Sequence, residues 1–196
     1  MIKKIGLVVL FAVSAFAMHT VELNINDKDM EIGAKLDMGQ FSDSTEPNTV
    51  FIGGKFLHGD EDHSDFVSNS DIQDYFELNF LMKKEINESF TMGLGIKANY
   101  TDDFTSFPLG MEVNYQLPFK WSIPVSIGGY LYYAPEVLSI RDAKSFLEYR
   151  AEIDAEVITN GHVVVGYRNL DTNYDSNNGG DINYNKSPYI GFRFAF

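Results

Sequence analysis

Residues Tyr189-Ile190-Gly191-Phe192-Arg193-Phe194-Ala195-Phe196 read as an alternating strand that stops on an aromatic side chain. Ile190, Phe192, Phe194 and Phe196 fall on one face, and Tyr189, Gly191, Arg193 and Ala195 on the other. A terminal Phe with a free carboxylate is an odd finish for a soluble sheet. It is the usual finish of a bacterial outer-membrane β-barrel, whose last strand presents alternating aromatics to lipid. Phe192, Phe194 and Phe196 are therefore expected to be the signal read by the outer-membrane assembly machinery.

The other end agrees. Met1-Ile2-Lys3-Lys4 is a short basic start, Ile5 to Phe16 carries no charge, and Ala15-Phe16-Ala17 fits a small-x-small cleavage site. Residues 1–17 read as a secretory signal peptide, because the apolar run falls short of the about 20 residues that cross a bilayer as a helix. Residues 18–196 are then one domain. No later run approaches the about 18 apolar residues of a helical span. Aromatics nevertheless reach 14% while mean hydropathy is only -0.16. A barrel produces that combination, since each strand shows half its residues to lipid and aromatics gather at both interfaces.

There is no Cys, which excludes a lipoprotein anchor, disulfides, thiol catalysis and Cys-based zinc sites. The formal charge is -13, or about -15 once Lys3 and Lys4 are removed. Nucleic-acid binding needs a basic surface and is not expected.

Alternation recurs along the chain. Strands are expected over 20–26, 30–38, 49–58, 73–83, 89–100, 107–117, 122–134, 145–158, 162–171 and from about 184 to the end. Segments 84–88, 101–106 and 135–144 read as connections, and Thr159-Asn160-Gly161 as a hairpin turn. The expectation is a closed, antiparallel, ten-stranded transmembrane barrel with both termini on the periplasmic side. An eight-stranded barrel with a separate N-terminal hairpin is the alternative, because the first outer turn is very short and 39–48 is long for an inner one. Pro108 and Pro188 are expected near strand starts, and Pro124 inside a strand, at a bulge.

The densest set of charges is Glu148, Arg150, Glu152, Asp154 and Glu156, whose spacing of two puts all five on one strand face. The opposite face is apolar, so these side chains are expected in the lumen. Glu22, Glu31, Asp37, Glu77, Glu112, Lys35, Lys55, Lys97, Arg168 and Arg193 sort the same way. A bare Arg or Lys facing lipid at the midplane would cost about 2–4 kcal/mol. Such a set suits an ion-pair network filling a narrow lumen, or a selectivity ring. Eight strands leave room only for side chains or one small ligand, whereas water-filled pores need about 16.

The loop Asp60-Glu61-Asp62-His63-Ser64-Asp65 has oxygen ligands suited to a divalent cation but lacks EF-hand spacing, and reads as a solvated acidic loop. Acidic outer loops of this kind suit contacts with lipopolysaccharide phosphates bridged by Ca²⁺ or Mg²⁺. Some small barrels are lipid hydrolases built on Ser and His. None of His19, His58, His63 and His162 stands beside a recognisable nucleophile motif, and no catalytic, metal or cofactor residue is assigned.

The segments Tyr132-Tyr133-Ala134-Pro135-Glu136-Val137-Leu138-Ser139, Tyr149-Arg150-Ala151-Glu152 and Val165-Gly166-Tyr167-Arg168 resemble the YfaZ family of outer-membrane proteins. Val21-Glu22-Leu23-Asn24 and Glu31-Ile32-Gly33 resemble its first hairpin. The resemblance implies an outer-membrane barrel and carries over no activity and no site residue. The leading functional expectation is a non-enzymatic structural or surface protein with a side-chain-filled lumen. A narrow cation-preferring channel comes second and a lipid-modifying enzyme third.

Overall fold

The computed structural model describes residues 19–27, 29–59, 74–102, 104–119, 123–141, 143–174 and 182–196. The expected signal peptide and the acidic loop at 60–65 lie outside these residues. Strands are β1 (Thr20–Ile25), β2 (Asp29–Asp37), β3 (Val50–Gly59), β4 (Tyr75–Asn87), β5 (Phe90–Tyr100), β6 (Phe104–Ser106), β7 (Leu109–Gln116), β8 (Val125–Ala134), β9 (Ser139–Arg141), β10 (Ala143–Ile158), β11 (Gly161–Tyr174) and β12 (Ile182–Ala195).

Ten of these form a closed antiparallel barrel, in the ring order β1-β2-β3-β4-β5-β7-β8-β10-β11-β12. The short β6 and β9 pair with each other above the wall, with Thr105 opposite Ile140. The ring closes where Val21 meets Phe194 and Leu23 meets Phe192. His19 and Phe196 extend that seam, each accepting the other's N–H, at 3.1 and 2.9 Å. β1 thus pairs with both β2 and β12, and the alternative of a detached N-terminal hairpin does not hold.

The ends of the described chain, His19 and Phe196, lie at one end of the barrel, here the terminus end, together with the 38–49 connection; β6 and β9 lie at the other, the loop end. Closure leaves no edge strand in the ring and satisfies the backbone between neighbours, as a strand-built membrane crossing requires. Alternation then sorts the side chains. Ile32, Leu78, Leu94, Ile127, Ile153 and Ile190 are exposed on the outer wall. Inward positions on the same strands, among them Glu31, Glu77, Asn79, Lys97, Asp154 and Tyr189, are buried within.

Several connections differ from the sequence expectation. β4 runs on to Asn87, so 84–88 is not one tight connection. The alternation persists there, with Lys84 opposite Met92, and the Asn87 carboxamide oxygen accepts the N–H groups of Ser89 and Phe90. Segment 101–106 contains β6, which pairs back on β5 (Asn99 opposite Ser106, Tyr100 opposite Thr105), and 135–144 contains β9, which pairs with β6. Pro124 precedes β8 rather than interrupting it, and its carbonyl accepts Glu156 N–H at 3.0 Å. Pro188 sits inside β12, not near its start. β1 stops pairing at Ile25, opposite Ile190, so Pro188 has a strand neighbour on one side only and its missing N–H breaks no ladder there. The long connection after β2 is organised by Asp37, whose carboxylate accepts Gly39 N–H at 3.0 Å and Asn48 N–H at 2.8 Å.

Candidate functional site

The barrel interior holds the chemistry. Inward positions of β1, β2, β3, β4, β5, β7, β8, β10, β11 and β12 all converge there, so charges far apart in sequence meet across a narrow lumen. Lys97 from β5 donates to Glu77 Oε2 of β4 at 2.9 Å and reaches Glu148 Oε2 of β10 at 2.5 Å. Its ammonium also lies 4.3 and 4.1 Å from the ring centroids of Tyr130 and Tyr132. The residue is 2% exposed. Burial of that charge is tolerable because two carboxylates and two aromatic faces replace its water.

Arg150 crosses the lumen to β2, where Nη2 donates to Glu31 Oε2 at 2.6 Å; its Nη1 lies 3.5 Å from Glu22 Oε1. Arg168, 0% exposed, reaches the same Glu31 at 3.1 Å and Asp29 at 3.6 Å, and its Nε donates to Asn185 Oδ1 at 2.8 Å. Asn185 in turn donates to Asp29. Nearer the terminus end, Arg193 bonds three carboxylates, Glu22 at 2.6 Å, Glu152 at 2.7 Å and Asp154 at 3.0 Å. Asp154 also meets His162 Nδ1 at 2.6 Å. Lys35 pairs with Glu112 across the barrel at 3.2 Å.

These contacts bring together Glu148, Arg150, Glu152, Asp154, Glu112, Lys97, Arg168 and Arg193. Glu156 stands apart: its carboxylate accepts Asn160 N–H at 3.0 Å and closes the β10–β11 turn. Asp37 likewise serves its connection. Three tyrosines that charge patterning did not single out complete the network. Tyr130 donates to Glu148 at 2.7 Å, Tyr132 to Glu112 at 3.0 Å and Tyr189 to Glu152 at 3.0 Å. Their inward parity was legible, since Leu131, Tyr133 and Ile190 face out.

Tyr132 and Tyr189 lie against glycines of neighbouring strands. Tyr132 is opposite Gly110, which is itself opposite Gly95; a methyl at either glycine would fall within 2.5 Å of the Tyr132 side chain. Tyr189 lies over Gly166 in the same way. The missing side chains leave space for the rings to lie flat along the wall and reach their carboxylates.

Two further features bound the network. In the half nearer the termini lies a cavity of about 170 Å³, lined by Glu22, Lys35, Lys83, Glu112, Tyr130, Arg150, Glu152 and Arg193 among others. At the loop end the lumen is capped by an apolar cluster of Leu57, Tyr75, Phe104, Ala134, Ala143, Phe146, Leu170 and Tyr174. Phe104 comes from β6, is fully buried, and packs against Phe146 at 5.6 Å and Tyr174 at 6.4 Å between ring centroids. The loop strand β6 therefore supplies part of the cap.

Among the described residues, Lys35, Lys55, Lys83, Lys97, Arg150, Arg168 and Arg193 face eight interior carboxylates: Glu22, Asp29, Glu31, Glu77, Glu112, Glu148, Glu152 and Asp154. Among the described residues the interior is therefore close to charge balance. Also among the described residues, no group of three or more His, Asp or Glu is placed to hold a metal ion.

A family model described as "YfaZ precursor" matches residues 3–196. Similar solved structures include a chain described as "KdgM porin" and one described as "KdgM porin in complex with disordered oligogalacturonate". Each is 8% identical, with a TM-score of 0.45, covering 91% of this chain and 98% of the other. No curated protein matches the sequence.

Proposed function

The chain belongs to the YfaZ family, and from that premise and the closed barrel we propose a non-enzymatic outer-membrane protein whose lumen is filled by its own side chains. Its role is structural or surface-directed, exerted through the loop end. In this reading the terminus end faces the periplasm and the loop end faces outward. Export through residues 1–17 and recognition of Phe192, Phe194 and Phe196 by the assembly machinery bring it there.

The observation that carries this reading is the double closure of the lumen. The ion-pair belt around Lys97, Glu77, Glu148 and Arg150 blocks the middle, and the cluster around Phe104 and Phe146 caps the loop end. Water would have to displace both to pass. The partners that fit are outer-membrane lipid and lipopolysaccharide, with divalent cations bridging the acidic loops.

Single-channel recording of the refolded protein in a planar bilayer tests the reading. A silent bilayer, with folding verified in the same preparation, is expected. Discrete conductance steps would replace it with a second reading, a narrow channel, which the charged cavity of about 170 Å³ favours. Cation preference would then be weak, because interior charges nearly cancel. The enzyme reading rests only on the pairing of His162 with Asp154. It requires wild-type turnover of labelled lipid that His162→Ala abolishes.

A further inference from the structure

The outer wall of the barrel carries a depression across β2 to β5, visible in the register of side chains facing out. Ile32, Phe56, Phe76 and Tyr100 stand directly opposite one another across β2, β3, β4 and β5. One step toward the terminus end, the corresponding row is Ala34, Gly54, Leu78 and Ala98. One step further it is Leu36, Ile52, Phe80 and Ile96. A row of mostly small residues thus lies between two rows of large ones. The first two rows, with Val21, Thr105 and Phe107, line an apolar groove of about 700 Å³ running across the strands. Left empty, its walls would lose the dispersion contacts that a flat wall makes with its surroundings.

The groove's aromatic row ends at Tyr100, where a cation is held. The Arg141 guanidinium lies 5.3 Å from the Tyr100 ring centroid, and Nη1 donates to Asp102 O at 2.8 Å and to Thr101 O at 3.3 Å. Arg141 has φ 71°, an uncommon backbone conformation for a residue with a side chain, so β9 is held there by its surroundings. The side chain is exposed, and among the described residues no carboxylate pairs with it. An apolar slot with a fixed guanidinium at its loop end matches a molecule with an alkyl chain and an anionic head. Guanidinium binds phosphate through two parallel hydrogen bonds, which favours a phosphate head.

We propose that this groove is a lipid site: it holds an acyl chain of lipid A, the phosphorylated anchor of lipopolysaccharide, with Arg141 on one of its phosphates. This rests on the outer-membrane reading above, which makes the loop end the lipopolysaccharide leaflet. Gly54 is the natural place to fill the slot. A side chain there would meet Glu77 O at 3.4 Å and Leu78 Cδ2 at 3.5 Å, ordinary contact distances.

The test is native mass spectrometry of the folded protein in detergent, mixed with equal amounts of purified lipid A and phosphatidylcholine. Wild type is expected to retain lipid A at least fivefold over phosphatidylcholine. Gly54→Leu is expected to lower lipid A retention at least fivefold, and Ala98→Leu serves in its place if that variant does not fold. Arg141→Ala is expected to keep lipid adducts but lose the preference for lipid A. A folded wild type that retains both lipids equally, or variants that behave as wild type, would overturn the lipid site. A wild type that fails to enter bilayers at all would overturn the membrane reading on which it stands.

Discussion

Arg168 illustrates how much depends on single side chains in this lumen. Its guanidinium is fully buried between Asp29, Glu31 and Asn185. Removing one partner of a buried ionic group leaves the others uncompensated, so Arg168→Ala should cost about 3–5 kcal/mol. Urea titration of the protein folded in vesicles would measure it, and an unchanged midpoint would show that the network does not hold the barrel together. Lys35 pairs with Glu112 in the wetter part of the lumen, with its side chain 25% exposed. Lys35→Ala in the same assay should cost only about 0–1 kcal/mol. Gly166→Ala addresses shape instead of charge. The added methyl meets the Tyr189 ring, and overpacking of this kind costs about 1–3 kcal/mol. Tyr189 should also lose its bond to Glu152, which the ring's near-ultraviolet dichroism would report.

At the scale of elements, the last strand is the one whose loss should matter most for assembly. β12 joins β1 to β11 and so closes the ring, and Phe196 adds a final pair of backbone hydrogen bonds with His19. Deleting Phe196 should lower the fraction of heat-modifiable, folded protein recovered in outer membranes, while Asp43→Ala, in an exposed part of the 38–49 connection, should not. Equal recovery of the two would remove the assembly role of the terminal aromatic. Long strands such as β5 were readable from alternation alone, because eleven consecutive residues of one period have few competing explanations. β6 and β9 were not. Each has three residues, too few for a period, and each is a strand only through its neighbours, β6 between β5 and β9, and β9 beside β6. The continuation of β4 to Asn87 escaped for a related reason. Lys84 and Glu85 look like a turn in sequence, yet pairing with Met92 and Thr91 keeps them extended.

For the whole molecule, the question is whether the interior admits flow. The cap at the loop end depends on aromatic side chains, with Phe104 and Phe146 at its centre. Replacing both by Ala should create conductance steps in a planar bilayer where wild type is silent. If the double variant folds and is also silent, the ion-pair belt alone suffices to close the lumen. The net charge of -13 is no guide to selectivity here, because the described interior residues are nearly balanced. High salt should therefore weaken the proposed loop-mediated association with lipopolysaccharide more than it alters barrel stability, since buried pairs are screened far less than exposed charges.

The amino-acid sequence by itself determined which face of each strand meets lipid and which meets the lumen. That information is local: a period of two, read against the cost of placing charge in lipid, assigns every side chain without knowledge of its partners. It therefore placed Glu148, Arg150, Glu152 and Asp154 inside, and marked strand number and closure. Only the tertiary structure decided which charge meets which. Arg150 finds Glu31, 119 positions away in sequence, and Lys35 finds Glu112, 77 positions away. Such meetings depend on the register of every intervening hairpin, and a shift at any turn would redirect them all. The Phe104 cap and the groove between Tyr100 and Ala34 are of the same kind. Each is a relation between rows of side chains on several strands, and no one strand contains it.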